Sequence, residues 1–189
     1  ADLEEHVIRQ SAKVRTRHRA HHTNRRNQQN HSEIRLLDVE SGEIRQLTEN
    51  RAPESRLVWA PDGQSLAYTA RTDGEWELML DKIWIMDPES GDKRMVSGAF
   101  DGNISTFVWT PDASAILFSG LQGTNNNLFR LDVGSGDVVK VTSALGSLSP
   151  SSFSRDRTRM AYVFQDFDTP SDVWIGPTDG SSGVRLTDA

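Results

Sequence analysis

Short runs of β-branched and aromatic residues recur along the chain from about residue 34 onward, and polar turn residues separate them. The runs cover residues 65–70, 82–86, 115–119, 127–131, 159–164 and 172–175. Runs of this length that end at Gly, Pro, Asp or Ser are typical of strands, because a strand is short and stops at a tight turn. The pattern therefore predicts an all-β fold.

Two motifs recur along this part of the chain with a period of 44 to 50 residues. The first motif is an aromatic turn: WAPDG at 59–63, WTPDA at 109–113 and, more faintly, FSRDR at 153–157. The second is an Asp-x-x-Ser-Gly turn: LLDVESGEIRQLT from Leu36, IMDPESGDKRMVS from Ile85, RLDVGSGDVVKVT from Arg130 and WIGPTDGSSGVRLT from Trp174. Pro presets φ, Asp accepts backbone N–H bonds and Gly adopts a left-handed conformation, so both motifs predict turns between antiparallel strands.

The interleaved motifs fit four-stranded antiparallel propeller blades, with strands a to d in chain order and the aromatic motif at the end of the innermost strand a. One blade covers residues 57–97, a second 106–142 and a third 149–187, and residues 34–48 supply strands c and d of a preceding blade. The prediction is a partial β-propeller of about three and a half blades over residues 31–189. The alternative is a β-sandwich with turns that are similar by chance.

The repeat makes two further predictions about side chains and faces. Trp59, Trp109 and Phe153 are expected at equivalent buried positions on three innermost strands. The a–b and c–d turns fall on one face of the blades, and the b–c and d–a loops fall on the other. We expect the repetitive turns to serve geometry and the irregular loops to carry function, since binding residues concentrate on loops held by a rigid frame.

Composition narrows the class of protein. The chain has no cysteine, which excludes disulfides and thiolate metal sites. It also has no apolar run near the length of a membrane span and no apolar core of a secretory signal near residue 1. We expect a soluble chain with no membrane partner, located in the cytoplasm or, alternatively, the periplasm.

Residues 1–30 differ in composition from the rest of the chain. They carry seven Lys and Arg against three acidic residues, whereas residues 31–189 carry 14 basic and 24 acidic residues. No Phe, Trp or Tyr precedes Trp59, so this segment lacks the residues of a core. The sequence predicts a basic polar arm, or an irregular segment, at residues 1–30.

Two clusters in and next to this arm are candidate binding sites. The histidines His18, His22 and His31 suggest a divalent metal, but no Cys or suitably spaced acid completes a ligand set. The arginines suggest contacts to phosphate, but no aromatic residue accompanies them for base stacking: Arg15, Arg17, Arg19, Arg25 and Arg26. A solvated arm with no metal and no nucleic-acid partner is the expectation.

Residues 34–189 resemble the propeller repeats of TolB-type proteins and of the prolyl oligopeptidase family of serine peptidases. The longer phrases resemble the last blades before the hydrolase domain in acylaminoacyl-peptidase and dipeptidyl-peptidase relatives: FDGNISTFVWTPD from Phe100, NNLFRLDVGSGDVVKVT from Asn126 and PSDVWIGPTDGSSGVRLTDA from Pro170. The resemblance implies a non-catalytic propeller that caps the α/β-hydrolase domain of the same parent protein and restricts the entry of peptide substrates. Two alternatives stay open: a TolB-like interaction scaffold without activity, and a propeller that binds or cleaves carbohydrate.

The chain itself carries no catalytic residues by these criteria. It has no G-x-S-x-G nucleophile elbow, and no histidine follows His31. The nearest string, GSLSP at 146–150, is expected in a loop between blades. Adjacent Glu4 and Glu5 are similar to the double-glutamate motif of dipeptidyl peptidases, but the aromatic residues of that motif are absent and an acidic first helical turn is the alternative. We expect no cofactor.

The irregular loops supply the candidate contact residues for a hydrolase domain or a substrate: Arg71, Glu75, Trp76, Asp101, Asp166 and Asp168. Three loop aromatics, Trp76, Phe100 and Phe167, either join this surface or fold back over blade edges. Because a partial ring leaves strand edges and apolar blade faces open, we also expect self-association or a requirement for the rest of the parent chain.

Overall fold

The computed structural model describes residues 33–49, 52–72 and 79–188. These ranges contain strands and turns and no helix, which confirms the all-β class. The strands are β1 (Arg35–Leu37), β2 (Ile44–Gln46), β3 (Ser55–Trp59), β4 (Leu66–Ala70), β5 (Lys82–Met86), β6 (Lys93–Met95), β7 (Asn103–Trp109), β8 (Ala115–Gln122), β9 (Asn125–Asp132), β10 (Val138–Lys140), β11 (Ser147–Phe153), β12 (Arg159–Gln165), β13 (Asp172–Pro177) and β14 (Val184–Arg185).

Within each unit, strand pairing follows chain order. Strands β1 and β2 form a hairpin, and three four-stranded antiparallel units follow it: β3–β6, β7–β10 and β11–β14. We call these units the first, second and third meanders. A single parallel bridge between Ser147 and Asn126 links the third meander to the second. The string at residues 146–150, expected in a loop, therefore lies mainly in β11, because Ser147 also pairs with Gln165.

The core consists of apolar layers between successive units. Ile83 and Ile85 of the first meander share a buried cluster with Phe107, Phe118 and other residues of the second. A second layer joins the hairpin to the first meander and contains Ile34, Tyr68 and Met86. A third layer joins the second meander to the third and contains Leu117, Leu128, Met160 and Tyr162. The first meander thus packs between the hairpin and the second meander, and the second packs between the first and the third, as stacked repeats do.

The three strand-a aromatics occupy equivalent places, as predicted, because each one ends its strand opposite the first or second residue of strand b. Their burial is unequal. Trp109 is only 4% exposed, whereas Trp59 and Phe153 are half-buried, so the prediction of three buried positions is wrong for two of them. In the described ranges, a two-stranded hairpin precedes the meander of Trp59, whereas a four-stranded meander precedes that of Trp109.

The turns have the conformations that the motifs predict. In the Asp-x-x-Ser-Gly turns, one Asp87 carboxylate oxygen accepts the N–H groups of Glu89 and Ser90, and Gly91 has φ 77°. In the aromatic turns, Ala113 and Arg157 take the place of Gly63 and keep its left-handed backbone, with φ 57° and 60° against 72°. These two turns accept strain of roughly 1 kcal/mol each instead of changing type.

A hydroxyl group closes strands c and d in all four units. Each time, the Thr or Ser that follows strand d accepts the backbone N–H 14 residues earlier in strand c: Ile34 to Thr48, Ile83 to Ser97, Leu128 to Thr142 and Val173 to Thr187. In the hairpin and in the second and third meanders, the hydroxyl also donates a hydrogen bond to the side chain just before the residue whose N–H it accepts. These side chains belong to Glu33, Asn127 and Asp172. These bonds satisfy N–H groups that are otherwise costly to bury.

Several sequence predictions lie outside the described residues. They are the basic arm at residues 1–30, the His and Arg clusters, the Glu4–Glu5 pair, and Glu75 and Trp76 of the candidate contacts. In the part of the chain that is described, no helix is long and apolar enough to span a membrane.

Candidate contact surface

The b–c and d–a connections lie at one end of the meanders, which we call the loop edge; the a–b and c–d turns lie at the opposite end, the turn edge. This division follows from the antiparallel strand order of each unit. The loop edge contains every candidate contact residue that the structure describes: Arg71, Asp101, Asp166 and Asp168.

The connection between β12 and β13 presents an aromatic residue between two carboxylates. Phe167 is fully exposed, with 102% relative accessibility, so the described chain buries essentially none of its surface. One carboxylate oxygen of Asp166 accepts the backbone N–H groups of Asp168 (3.0 Å) and Thr169 (2.7 Å). A hydrogen bond from the Thr169 side chain, followed by the backbone bonds, lowers the pKa of Asp166. Asp166 thus orders the loop, and Asp168 is left exposed beside the ring.

Asp101 lies in the connection between the first and second meanders. Its backbone carbonyl accepts a hydrogen bond from Gln122 Nε2 at 3.0 Å, while its carboxylate is exposed and has no bonded partner in the described ranges. The same connection holds Phe100, which is only 2% exposed and packs edge-on against Phe118 and Phe129. Of the two alternatives for Phe100, the structure thus supports the fold-back into the core.

Arg71 and Asp81 close the base of the connection between β4 and β5. The Arg71 Nε and Asp81 Oδ1 atoms are 3.3 Å apart, and both side chains are about one-third exposed. Arg71 is therefore engaged within its own loop. A further contact with another domain or a substrate stays a prediction, as it does for the other candidates.

A series of contacts joins Asp101 to Asp166 along the loop edge. Gln122, which binds the Asp101 carbonyl, pairs with Asn125 across the hairpin of β8 and β9. The Asn125 side chain accepts the Gly146 N–H at 2.8 Å. Gly146 has φ 144°, and a Cβ there would meet Gln165 O at 2.3 Å and the Asp166 Cβ at 2.9 Å. Hydrogen bonds and close packing thus connect the loop that holds Asp101 with the loop that holds Asp166.

The structure adds two residues that sequence reasoning missed. Leu145 is 80% exposed in the connection before β11, and Leu121 is also exposed at the end of β8. Leu145 precedes the glycine that packs on Asp166, so it lies in the same loop group as Phe167. The stretch at residues 120–126, expected as an irregular loop, is a tight hairpin with Gly123 at φ 59°. The sequence signal for either leucine is an apolar residue one or two positions before a glycine with positive φ, Gly146 or Gly123.

The loop edge combines exposed apolar groups with carboxylates, a composition that suits contact with another protein surface or with a peptide. No group of three or more His, Cys, Asp or Glu residues in the described ranges is arranged to hold a metal ion.

Comparisons with known proteins place this geometry among propellers. No family model matches the chain. The chain is 24% identical over 153 residues to dipeptidyl-peptidase 5 of Porphyromonas gingivalis, a match that covers 80% of the chain and 22% of that protein. It is 31% identical over 160 residues to the uncharacterized protein Atu1656 of Agrobacterium fabrum, covering 83% of the chain and 50% of that protein. The chain thus spans between about a fifth and a half of the length of these curated relatives.

Solved structures give the same picture. TolB from Acinetobacter baumannii superposes with a TM-score of 0.64 at 23% identity, over 82% of this chain and 37% of that one. A structure from a study of two prolyl endopeptidases superposes with a TM-score of 0.64 at 15% identity, over 85% of this chain and 27% of that one. These likenesses confirm the β-propeller fold and the resemblance to TolB propellers and peptidase propeller domains.

Proposed function

We propose that this chain is the non-catalytic propeller portion of a prolyl-oligopeptidase-type serine peptidase, and that its loop edge faces the hydrolase domain. In this arrangement the propeller caps the catalytic domain and admits only peptides small enough to reach the serine. The match to dipeptidyl-peptidase 5 supports the class of parent protein.

The observation that carries the proposal is the ordered connection at residues 166–169. A fully exposed Phe167 is unfavourable in water, on a loop that is fixed by two hydrogen bonds from backbone N–H groups to the Asp166 carboxylate. A partner surface would remove that cost. Because the loop is already ordered, binding would not have to restrict its backbone, which favours association. Asp101 and Asp168 add charge for orientation and for rejecting wrong partners.

The proposal is tested by charge reversal in the full parent protein. The double variant Asp101→Lys, Asp168→Lys removes the two carboxylates that have no bonded partner in the described ranges and leaves the turn made by Asp166 intact. We expect kcat/KM for small peptides to change by about fivefold or more, since reversing two contact charges alters both association and orientation. Substrate preference should change with it.

The matched control is the double variant Glu40→Lys, Glu43→Lys, which makes the same change of net charge at exposed positions on the turn edge. We expect its kcat/KM to stay within about twofold of the parent value, because surface charges far from a site act weakly. If the loop-edge variant leaves activity, substrate preference and domain association unchanged, the assignment of this edge is wrong.

A TolB-like interaction scaffold is the second candidate function. It is supported by 25% identity over 109 residues to the Tol-Pal system protein TolB of Francisella tularensis and by the TolB superposition. Sequencing the parent gene beyond residue 189 separates the two. A hydrolase region with G-x-S-x-G followed by Asp and His supports the peptidase, and its absence supports the scaffold.

A further inference from the structure

A cleft opens between the first and second meanders at the turn edge, away from the loop edge discussed above. Its volume is about 380 Å³, which is within the range of small-ligand sites. Buried Ile85 and Trp109 form part of its wall, and exposed Asp62, Asp87 and Asp92 lie around it. Sequence reasoning assigned this edge to turn geometry alone, so the cleft is unexpected.

The cleft is open because of one residue in the aromatic turn. Ala113 lines it, and Arg157 is the residue of the third meander at the same turn position, with nearly the same φ. Between the second and third meanders, the Arg157 side chain extends back over the seam. Its Nε donates to the carbonyl of Trp109 at 3.2 Å and its Nη1 to the carbonyl of Ser154 at 3.0 Å. A guanidinium group thus occupies the seam that Ala113 leaves open one unit earlier.

The carbonyl groups equivalent to the two that bind Arg157 belong to Trp59 and Thr110, whose neighbours in the chain, Ala60 and Trp109, line the cleft. Trp59 and Thr110 are the repeat equivalents of Trp109 and Ser154. The Thr110 carbonyl accepts the Ala113 N–H at 3.0 Å, just as the Ser154 carbonyl accepts the Arg157 N–H at 3.0 Å. A carbonyl oxygen has a second lone pair, so it can also accept a bond from an incoming donor, as Ser154 does.

The charges around the cleft favour a cation. Backbone hydrogen bonds from Glu89 and then Ser90 lower the pKa of Asp87, so this carboxylate stays ionised. The Asp92 carboxylate has no bonded partner in the described ranges. Of the two basic residues that line the cleft, Arg94 already donates to the Val133 carbonyl at 2.8 Å and so bridges the two meanders. Three carboxylates and two basic groups line the cleft, so the net charge of its lining is negative.

We propose that this cleft binds the side chain of an arginine presented by a partner polypeptide. The guanidinium takes the place that Arg157 occupies one seam later, with the Trp59 and Thr110 carbonyls as acceptors and Asp62 and Asp92 as the nearby charges. The aliphatic part of the arginine side chain packs against Ile85 and Trp109, as long basic side chains do on apolar surfaces. The inference does not depend on the loop edge or on a hydrolase domain.

The test is a titration of the full ¹⁵N-labelled chain with N-acetyl-arginine methylamide, followed by NMR. We expect saturable shifts at Thr110, Ala113 and the Trp109 indole, with a dissociation constant in the millimolar range, about 4 kcal/mol of binding free energy. The neutral citrulline analogue and the glutamate analogue should not saturate. An absence of saturable shifts with the arginine probe, or equal binding of the citrulline analogue, overturns the proposal.

Two variants tie the binding to the cleft. Ala113→Arg fills it from within and should abolish the shifts; Arg157 shows that this turn position accepts arginine with a left-handed backbone. Asp92→Asn should weaken binding about two- to fivefold, as expected for one exposed ion pair, whereas Asp137→Asn at the equivalent position of the second meander should not change it. Undiminished binding to a folded Ala113→Arg chain contradicts the proposal, and so does an equal effect of the two Asn variants.

Discussion

The indole N–H of Trp109 donates a hydrogen bond to the carbonyl oxygen of Val58, which lies 51 residues earlier in the chain, at 3.3 Å. The bond joins the innermost strands of the first and second meanders. Trp59 has the equivalent place in the first meander, but its indole nitrogen is buried without a hydrogen-bond partner in the described ranges. The two tryptophans therefore share a sequence motif and differ in what their neighbouring unit provides.

This difference predicts unequal costs of truncation. Trp109→Ala should lower the free energy of unfolding by about 3–5 kcal/mol, because it empties a buried site in the core between two meanders. Trp59→Ala should cost less, because Trp59 is half-buried and loses no hydrogen bond. Urea unfolding of both variants measures the difference, and equal losses would contradict it.

The hydroxyl bond of the second meander offers another stability test. Thr142 accepts the Leu128 N–H at 2.9 Å and donates to the Asn127 side chain at 3.0 Å, and all three residues are buried. Thr142→Val keeps the shape and leaves both partners short of one bond, so we expect a loss of about 1–3 kcal/mol. Ser143→Ala, at the exposed neighbouring position, is the control and should stay within about 0.5 kcal/mol. Equal effects of the two variants would show that the hydroxyl bond is unimportant.

The sequence predicts the turns and strands well because their causes are local. Pro, Asp and Gly at fixed offsets determine each turn, and short runs of β-branched and aromatic residues between the turns indicate the strands. The strand before each motif therefore ends within one residue of the predicted place, as at Trp59 and Trp109. Even Ala113 and Arg157 keep the turn, because the surrounding hydrogen bonds outweigh the strain of their left-handed backbone.

The sequence fails where packing between distant segments decides the outcome. Phe100 lies in a loop stretch with the composition of a surface, yet its ring is buried edge-on against the stacked rings of Phe118 and Phe129. The sequence places Ala113 and Arg157 at the same turn position, but only the structure shows that the Arg157 side chain reaches back to Trp109 while a cleft lies beside Ala113.

Acid should weaken the aromatic turns. Hydrogen bonds from side-chain hydroxyls first, and from backbone N–H groups next, lower the pKa of Asp112 and of Asp156 to about 2 from the ordinary 3.8. A depressed folded-state pKa contributes stability that is present above about pH 4 and is lost as pH falls through about 2. As the pH is lowered from about 4 to about 2, the free energy of unfolding should fall less steeply in the double variant Asp112→Asn, Asp156→Asn than in the unmodified chain. Parallel pH curves would contradict the assignment.

The outward face of the third meander should drive self-association of the isolated chain. Val173 occupies the place of Ile83 in the first meander; Ile83 is fully buried, whereas Val173 is 39% exposed. Val173→Lys should therefore reduce the concentration-dependent sedimentation of the chain without lowering its stability, while Ile83→Lys should unfold it. A chain that stays monomeric at high concentration without either substitution would refute the expectation.

The most direct test of the proposed arrangement is photo-crosslinking in the full parent protein, with a benzophenone amino acid at position 167 on the loop edge or at position 39 on the turn edge. Both native side chains are well exposed, so neither replacement should disturb the core. If the loop edge faces the hydrolase domain, position 167 will crosslink to that domain or to a bound peptide, and position 39 will not. Crosslinks from position 39 alone, or from neither position, would contradict the account.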